Sequence, residues 1–316
     1  MADRTDLLLR SIDVATSKGL ELGPLTSPVV RRDMGDISYL DHIDTDGLRA
    51  RYATHDGFDI DAIVPIDFVS HGSVRAAVGD NVVFDYVIAS HVIEHVPDLI
   101  GWLGDIRSVL RDDGVLSLAV PDHRRCFDAL RSPTVAAEVI HAHLTAATAP
   151  SPQQVFDHYS CAVAWRGFIS WFEEPPFAEL VPVHSETEAL DRATAIAGSD
   201  EYQDVHCWVF TPASFIRLCS SLQRLYLLPF SVEECSEPIG GEFFVTLRAV
   251  DVGNSAVPAL GDGLPRSASE HAVVRSELQA TRAELDASRA ELKLTLASRS
   301  WRVTRPLRAL SHLRSR

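Results

Sequence analysis

The chain has 316 residues, 46% of them hydrophobic and 23% charged, a composition that suits a globular protein long enough to bury a sizeable core. Its formal net charge is −15, although residues 298–316 carry six arginines and no acid, so the remainder is more acidic still. An acidic body argues against a main domain that binds nucleic acid, because phosphate contacts need clustered Lys and Arg.

Cys126, Cys161, Cys207, Cys219 and Cys235 are odd in number and form no CxxC pair, a pattern of a reducing compartment rather than of a disulfide framework or structural zinc site. The three leucines near the N-terminus are too few for a signal-peptide core, and no apolar run reaches membrane-spanning length. The expected location is the cytoplasm.

Taken in order, residues 1–16 predict a short capping helix. Lys18 to Leu22 is a short apolar strand that carries Glu21 and stops at Gly23-Pro24, with Ser27-Pro28 placed to start a brief helix. A glycine there lets a ligand approach the backbone, and a helix start beyond it favours anionic groups. Leu25 and Ser27 stand where GxGxxG needs further glycines, which disfavours a pyrophosphate site and with it an NAD-dependent oxidoreductase. The strand Asp36 to Asp41 ends in an acid. A carboxylate at that place accepts ribose hydroxyls in nucleotide-binding α/β units, and a capping or solvated aspartate fits the same residue. A third strand, Ala62 to Phe68, ends in the pair Asp67-Phe68, and Pro65 marks a bulge or an edge position.

The stretch Phe84 to Asp98, reading FDYVIASHVIEHVPD, organises the rest. Asp85 to Ala89 is the apolar, β-branched run of a buried parallel strand, and Ser90, His91, Glu94 and His95 then put four polar side chains into six residues. A helix is expected over 99–110. A strand that ends in a polar cluster and feeds a helix is where open α/β sheets place ligands, although a surface loop with two solvated histidines reads the same way. A fifth strand, Gly114 to Val120, is stopped by Pro121 and followed by Asp122 and His123. Residues 123–205 lose the strand–helix alternation and read as a helical insertion or a lid over the site. Thr211-Pro212 starts a helix to about Leu225, and runs from Phe230 to Cys235 and from Phe243 to Arg248 close a seven-stranded sheet as an antiparallel hairpin.

Together, Glu21-Leu22-Gly23-Pro24, Asp41, Asp67-Phe68 and FDYVIASHVIEHVPD resemble a class I S-adenosylmethionine-dependent methyltransferase of the type 11 kind. SHVIEHVPD and PDHRRCFD are similar to segments of bacterial methyltransferase-type proteins associated with surface-polysaccharide synthesis. The resemblance covers residues 18–250 and implies a methyltransferase domain over 1–250, with a Rossmann-like α/β sheet whose last strand is antiparallel. It also implies S-adenosyl-L-methionine as cofactor. Glu21, Gly23 and Pro24 would line the methionine moiety, Asp41 would hold the ribose, Asp67 and Phe68 would flank the adenine, and Ser90 and His91 would close the pocket.

In-line displacement at a sulfonium methyl needs positioning and removal of a proton from the acceptor hydroxyl. The candidates for that task are His91, Asp122, His123 and His206, with His158 also in reach of the argument; His95, at the start of a helix, reads as packing. For each histidine a structural hydrogen bond is the competing role. HExxH and comparable spacings are absent, so no metal site is expected.

Residues 251–269 form a linker by composition. Residues 270–297 contain TRAEL and SRAEL seven residues apart, with Val274, Leu278, Leu285 and Leu292 on one seam, and predict a coiled-coil helix, or a solvated single helix, that could join copies of the chain. The basic tail 298–316 resembles tails of polysaccharide-assembly enzymes. It is expected to meet an anionic membrane face or a glycosyltransferase partner, with disorder as the alternative. The expected activity is O-methylation of a sugar hydroxyl on a surface glycan or its precursor; the competing reading is a non-catalytic scaffold of the same fold that gathers glycosyltransferases.

Overall fold

Tyr86, Val87, Ile88 and Ala89 are buried, and the sheet is built around the strand that contains them. The computed structural model describes residues 3–54, 58–199 and 202–251. In chain order its strands are β1 (Lys18–Leu22), β2 (Asp36–Asp41), β3 (Phe68–Val69), β4 (Phe84–Ser90), β5 (Leu110–Pro121), β6 (Val163–Ala164), β7 (Val181–Pro182), β8 (Phe230–Cys235) and β9 (Glu242–Ala249). Seven of them form one sheet in the order β3-β2-β1-β4-β5-β9-β8, while β6 and β7 form a separate ribbon. Strands β1 to β5 pair in parallel; β9 is antiparallel to both β5 and β8. This is the seven-stranded Rossmann-like sheet with an antiparallel last strand that was expected.

The helices are α1 (Arg4–Leu8), α2 (Thr45–Tyr52), α3 (Val74–Val78), α4 (Leu99–Val109), α5 (Ala136–Leu144), α6 (Pro152–Cys161), α7 (Glu186–Ile196) and α8 (Pro212–Arg224). Successive strand side chains point to opposite faces. Val87 and Ala89 therefore join Leu103, Ile106 and Phe215 in the core under α4 and α8, whereas Tyr86 and Ile88 meet Leu7, Leu8 and Val30 on the other face. Asp98 starts α4 by accepting from Gly101 N at 2.9 Å, a cap that fixes where the chain leaves the end of β4.

The insertion is built from α5, α6, α7 and the ribbon. Val155, Ala193, Ile196 and Val205 form one small core, and Val163, Trp165 and Trp171 form another. Among the described residues, no helix is long and apolar enough to cross a membrane. The linker, coiled-coil and basic-tail assignments beyond Asp251 lie outside the described residues.

The structure corrects three elements. Residues 62–67 are not a strand: a short 3-10 turn covers Ile60–Ala62, and pairing begins only at Phe68, consistent with Pro65 lacking the N–H a ladder needs. Ser27-Pro28 starts no helix. Instead, the buried Glu21 carboxylate accepts from Val29 N at 2.7 Å and Val30 N at 3.1 Å, taking up amides that a helix start would have left for a ligand. The N-terminal helix is only Arg4–Leu8.

Burial pushes the Glu21 carboxyl up to about 7, against the lowering influence of the two amides and of Arg4. A carboxyl raised in the folded state binds a proton that the unfolded chain has released. Its contribution is complete below the ordinary value of 4.5 and is lost as pH rises through about 7. Thermal midpoints measured across that window should fall with rising pH, and Glu21→Gln should flatten the fall; parallel curves for the two proteins would refute this role.

Candidate active site

β1 and β4 are neighbours from which the chain crosses to opposite sides, so their carboxyl ends form the switch point where open α/β sheets hold ligands. Gly23, at the end of β1, has φ +65°, and a Cβ there would meet only Val92 Cγ2, at 3.7 Å. The end of β1 is therefore an open cradle, with Pro24 buried behind it. Gly23 N donates to Leu40 O at 2.9 Å, which ties the cradle to β2. At the end of β2 the Asp41 carboxylate accepts from His42 N at 2.7 Å and lies 2.6 Å from His42 Nδ1.

Ser90 and His91 occupy the end of β4. His91 adopts φ +54°, a left-handed conformation uncommon for non-glycine residues and better tolerated by histidine than by most. Its Nε2 lies 2.8 Å from Oε2 of Glu242, the first residue of β9. Arg4 crosses from α1 to donate to Glu242 at 2.8 Å and to Ser90 Oγ. Burial alone would lower the pKa of His91, but its contacts with Glu242 and Glu94 raise it to about 9, so the imidazole is a cation at neutral pH.

Beyond β4 the turn Ile93–His95 is stitched to the segment that follows the insertion. Glu94 O accepts from Cys207 N at 2.7 Å and from Trp208 N at 3.2 Å, and Trp208 Nε1 donates to Val96 O at 2.7 Å. This backbone pairing sets His206 beside His95, with ring centroids 4.8 Å apart and planes at 90°.

Both rings lean on acids. His206 Nδ1 is 2.5 Å from Asp128 Oδ2, and His95 Nδ1 is 2.9 Å from Asp204 Oδ1, at an ion-pair distance but out of hydrogen-bond line. Asp128 in turn meets Arg131 at 3.0 Å, and Arg131 reaches Asp157 at 2.8 Å and His206 O at 2.8 Å. His158 Nδ1 accepts from His206 N at 3.1 Å, and burial pushes that imidazole down to about 4, which keeps it neutral and structural.

Glu94 itself is 0% exposed, and among the described residues neither of its carboxylate oxygens has a hydrogen-bond partner. His91 Nδ1 comes within 3.4 Å of Oε1, again out of hydrogen-bond line. Burial drives the Glu94 carboxyl upward, yet His91, His206 and His95 together bring it below its ordinary value, so it is a buried carboxylate. One oxygen of Glu94 and one nitrogen each of His95 and His206 lie within 4.8 Å of one another.

Of the predicted residues, Gly23, Pro24, Asp41, Ser90 and His91 converge on the switch point, and His206 faces the adjoining Glu94 cluster. Glu21 does not line that cradle, because its carboxylate is committed to Val29 and Val30. Asp67 precedes β3 rather than ending it; its carboxylate accepts from Tyr39 N at 2.8 Å and Arg32 at 2.7 Å, and Phe68 opens the strand against the core. Asp122 is fully buried in a two-pronged pair with Arg124, at 2.9 and 2.6 Å, which removes it as a proton acceptor. His123 is buried with Nδ1 3.4 Å from Asp128 O, and burial lowers its pKa. His95, expected to be packing, belongs to the cluster instead.

Arg4, Glu94, Asp128, Arg131 and Glu242 were not among the expected site residues. Glu94 and Asp128 stood inside segments already singled out, but Arg4 and Glu242 reach the site from opposite ends of the domain, with no local pattern to mark them.

The sequence profile of the methyltransferase domain family matches residues 32–222, more than half of the chain, and the chain belongs to that family. No curated protein matches it significantly. Similar solved structures include the CcbJ methyltransferase of Streptomyces caelestis, 16% identical, covering 42% of this chain and 59% of CcbJ, TM-score 0.29. An S-adenosylmethionine-dependent methyltransferase from Mesorhizobium loti is 12% identical over 76% of this chain and 95% of its own, TM-score 0.34. The methyltransferase CalH, solved with S-adenosylhomocysteine, is 15% identical over 78% of this chain and 54% of CalH, TM-score 0.36. The chain thus spans less than two thirds of CcbJ and CalH, and at these identities and scores the likenesses carry no argument about activity.

Asp128 is nearly solvent-free between His206 and Arg131. Despite burial, those two partners hold its carboxyl down at about 2. Removing one member of a buried charge pair costs about 3–5 kcal/mol, the loss expected at pH 7 for Asp128→Ala in denaturant unfolding. Because the pKa is depressed, the wild-type advantage should persist above the ordinary 3.8 and shrink as pH falls towards 2. A wild-type-like midpoint at pH 7 would contradict this.

Proposed function

We infer that the chain transfers a methyl group from S-adenosyl-L-methionine to a hydroxyl of a sugar, in a surface polysaccharide or a glycan precursor. The observation that carries the methyl-transfer reading is the open cradle at Gly23, flanked on one side by Asp41 and on the other by the Arg4–Ser90–Glu242 group. Asp41 suits the cofactor's ribose hydroxyls, and Arg4, Ser90 and Glu242, which bond one another here, carry a guanidinium, a hydroxyl and a carboxylate that suit its carboxylate and ammonium once those bonds are exchanged for the cofactor's. When bound, the cofactor supplies a sulfonium methyl that passes to the acceptor oxygen while the sulfur keeps the C–S electron pair.

The protein's own part is positioning and handling of the acceptor's proton. His91 bridges the two halves, touching Glu242 on the cofactor side and Glu94 on the other. The acceptor hydroxyl meets the Glu94–His95–His206 cluster, whose rings are oriented by Asp204 and Asp128, and is deprotonated there. The sugar acceptor, a cytoplasmic location, self-association through residues 270–297, and contact of residues 298–316 with a glycosyltransferase or an anionic membrane face are supported by sequence resemblance and pattern alone.

Calorimetry with S-adenosylhomocysteine, beside NAD as control, tests the cofactor half. Gly23→Val should block backbone approach and abolish binding; Asp41→Ala should weaken it by about 1–3 kcal/mol, the cost of lost ribose hydrogen bonds. Unchanged affinity in both variants would sink the site assignment, and no binding by the wild type would leave the non-catalytic scaffold.

A further inference from the structure

The Glu94 cluster has a property that methyl transfer by itself does not explain. A carboxylate buried without hydrogen bonds is costly by several kcal/mol, and proteins keep such groups when they are paired closely or bind a cation. Glu94 is fully buried, and both oxygens lack a hydrogen-bond partner among the described residues. The nearest cationic side chain, His91, approaches one oxygen only, at 3.4 Å. Two imidazoles complete the surroundings: His206 has Nδ1 hydrogen-bonded to Asp128, and His95 has Nδ1 at ion-pair distance from Asp204, so in each ring Nε2 is the nitrogen not set against an acid. Carboxylate–imidazole pairs of this sort are the usual outer support of metal-binding histidines, since the acid fixes the ring and makes its other nitrogen a better donor.

We propose that Glu94, His95 and His206 hold one divalent first-row transition-metal ion, with open coordination positions for an oxygen of the acceptor. Two nitrogens and one carboxylate oxygen suit Mn, Fe, Co, Ni or Zn better than Ca or Mg. Ligand atoms about 2.1 Å from an ion lie at most about 4.2 Å apart. The three atoms here are within 4.8 Å of one another, so closing the site needs movements of less than 1 Å. The ligands come from a turn at 94–95 and from a segment more than a hundred residues later, which is why no short spacing announces the site. As a Lewis acid the ion would bind the acceptor hydroxyl and acidify it, the proton leaving to bulk water because the three side chains then serve as ligands and no longer as bases; this role rests on the methyltransferase reading, and the binding of the ion does not.

The test uses the tag-free full chain, stripped with chelator and dialysed, then titrated with Co²⁺ followed by its visible absorption, and with Mn²⁺ and Zn²⁺ by calorimetry. One ion per chain is expected. Glu94→Gln and His206→Asn should weaken binding at least a hundredfold, and Asp128→Asn, acting through His206, should weaken it about 10–100-fold. Glu94→Gln should also lose the metal-induced rise in Tm that the wild type shows. S-adenosylhomocysteine binding, measured on the same samples, verifies folding and separates the two readings. Cofactor binding without one-to-one metal binding overturns this proposal and leaves the methyltransferase reading standing; metal binding without cofactor binding does the reverse. Equal metal affinity in wild type and Glu94→Gln also overturns it.

Discussion

Two backbone hydrogen bonds, from Cys207 N and Trp208 N to Glu94 O, decide how this protein is assembled around its site. They join the turn that leaves the central strand β4 to the chain that returns from the insertion. Everything around the strand ends, from Gly23 to Glu242, hangs on β1, β2, β4 and β9. Everything on the other side, from Asp128 to His206, hangs on the insertion. The stitch holds the two in register, and the Trp208 indole, donating to Val96 O, locks it with a buried side chain.

Electrostatics explain why such a site can exist in an acidic protein. Around the stitch, acids and bases alternate along continuous chains of contact: Arg4, Glu242, His91 and Glu94 on one path, and His206, Asp128, Arg131 and Asp157 on the other. Asp128 is met by two partners and is held low, near 2; Glu94 is surrounded by imidazoles that make no aligned hydrogen bond to it. The contrast between a satisfied buried acid and an unsatisfied one, two contacts apart, is what separates the structural part of the network from the part that is poised for a ligand.

Much of the fold was legible in the sequence because local pattern and global arrangement agree. The β-branched run before Ser90, the acid-ended strand at Asp41, the Thr211-Pro212 helix start and the closing hairpin all form as their residues predict. The failures come from where backbone groups are missing or already taken. Pro65 withholds the N–H that a strand over 62–67 needs, and Glu21 captures the amides that a helix after Ser27 would have exposed. The candidate site was legible only in its local half. FDYVIASHVIEHVPD marks β4, Ser90 and His91, but the importance of Glu94 depends on residues near 206, and Asp122 looks catalytic until Arg124 is seen to neutralise it. Spacing within one segment cannot report a site whose ligands come from two.

The central claim is that the buried Glu94 carboxylate, whose oxygens have no hydrogen-bond partner among the described residues, is completed by a metal ion at the junction of the two halves. Anomalous diffraction from crystals grown with Mn²⁺ and S-adenosylhomocysteine tests it most directly. The account predicts one anomalous peak bonded to Glu94, His95 and His206 at about 2.0–2.2 Å, on the acceptor side of the cofactor. Well-ordered cofactor with no peak there, and Glu94 bonded instead to water or protein, would contradict it.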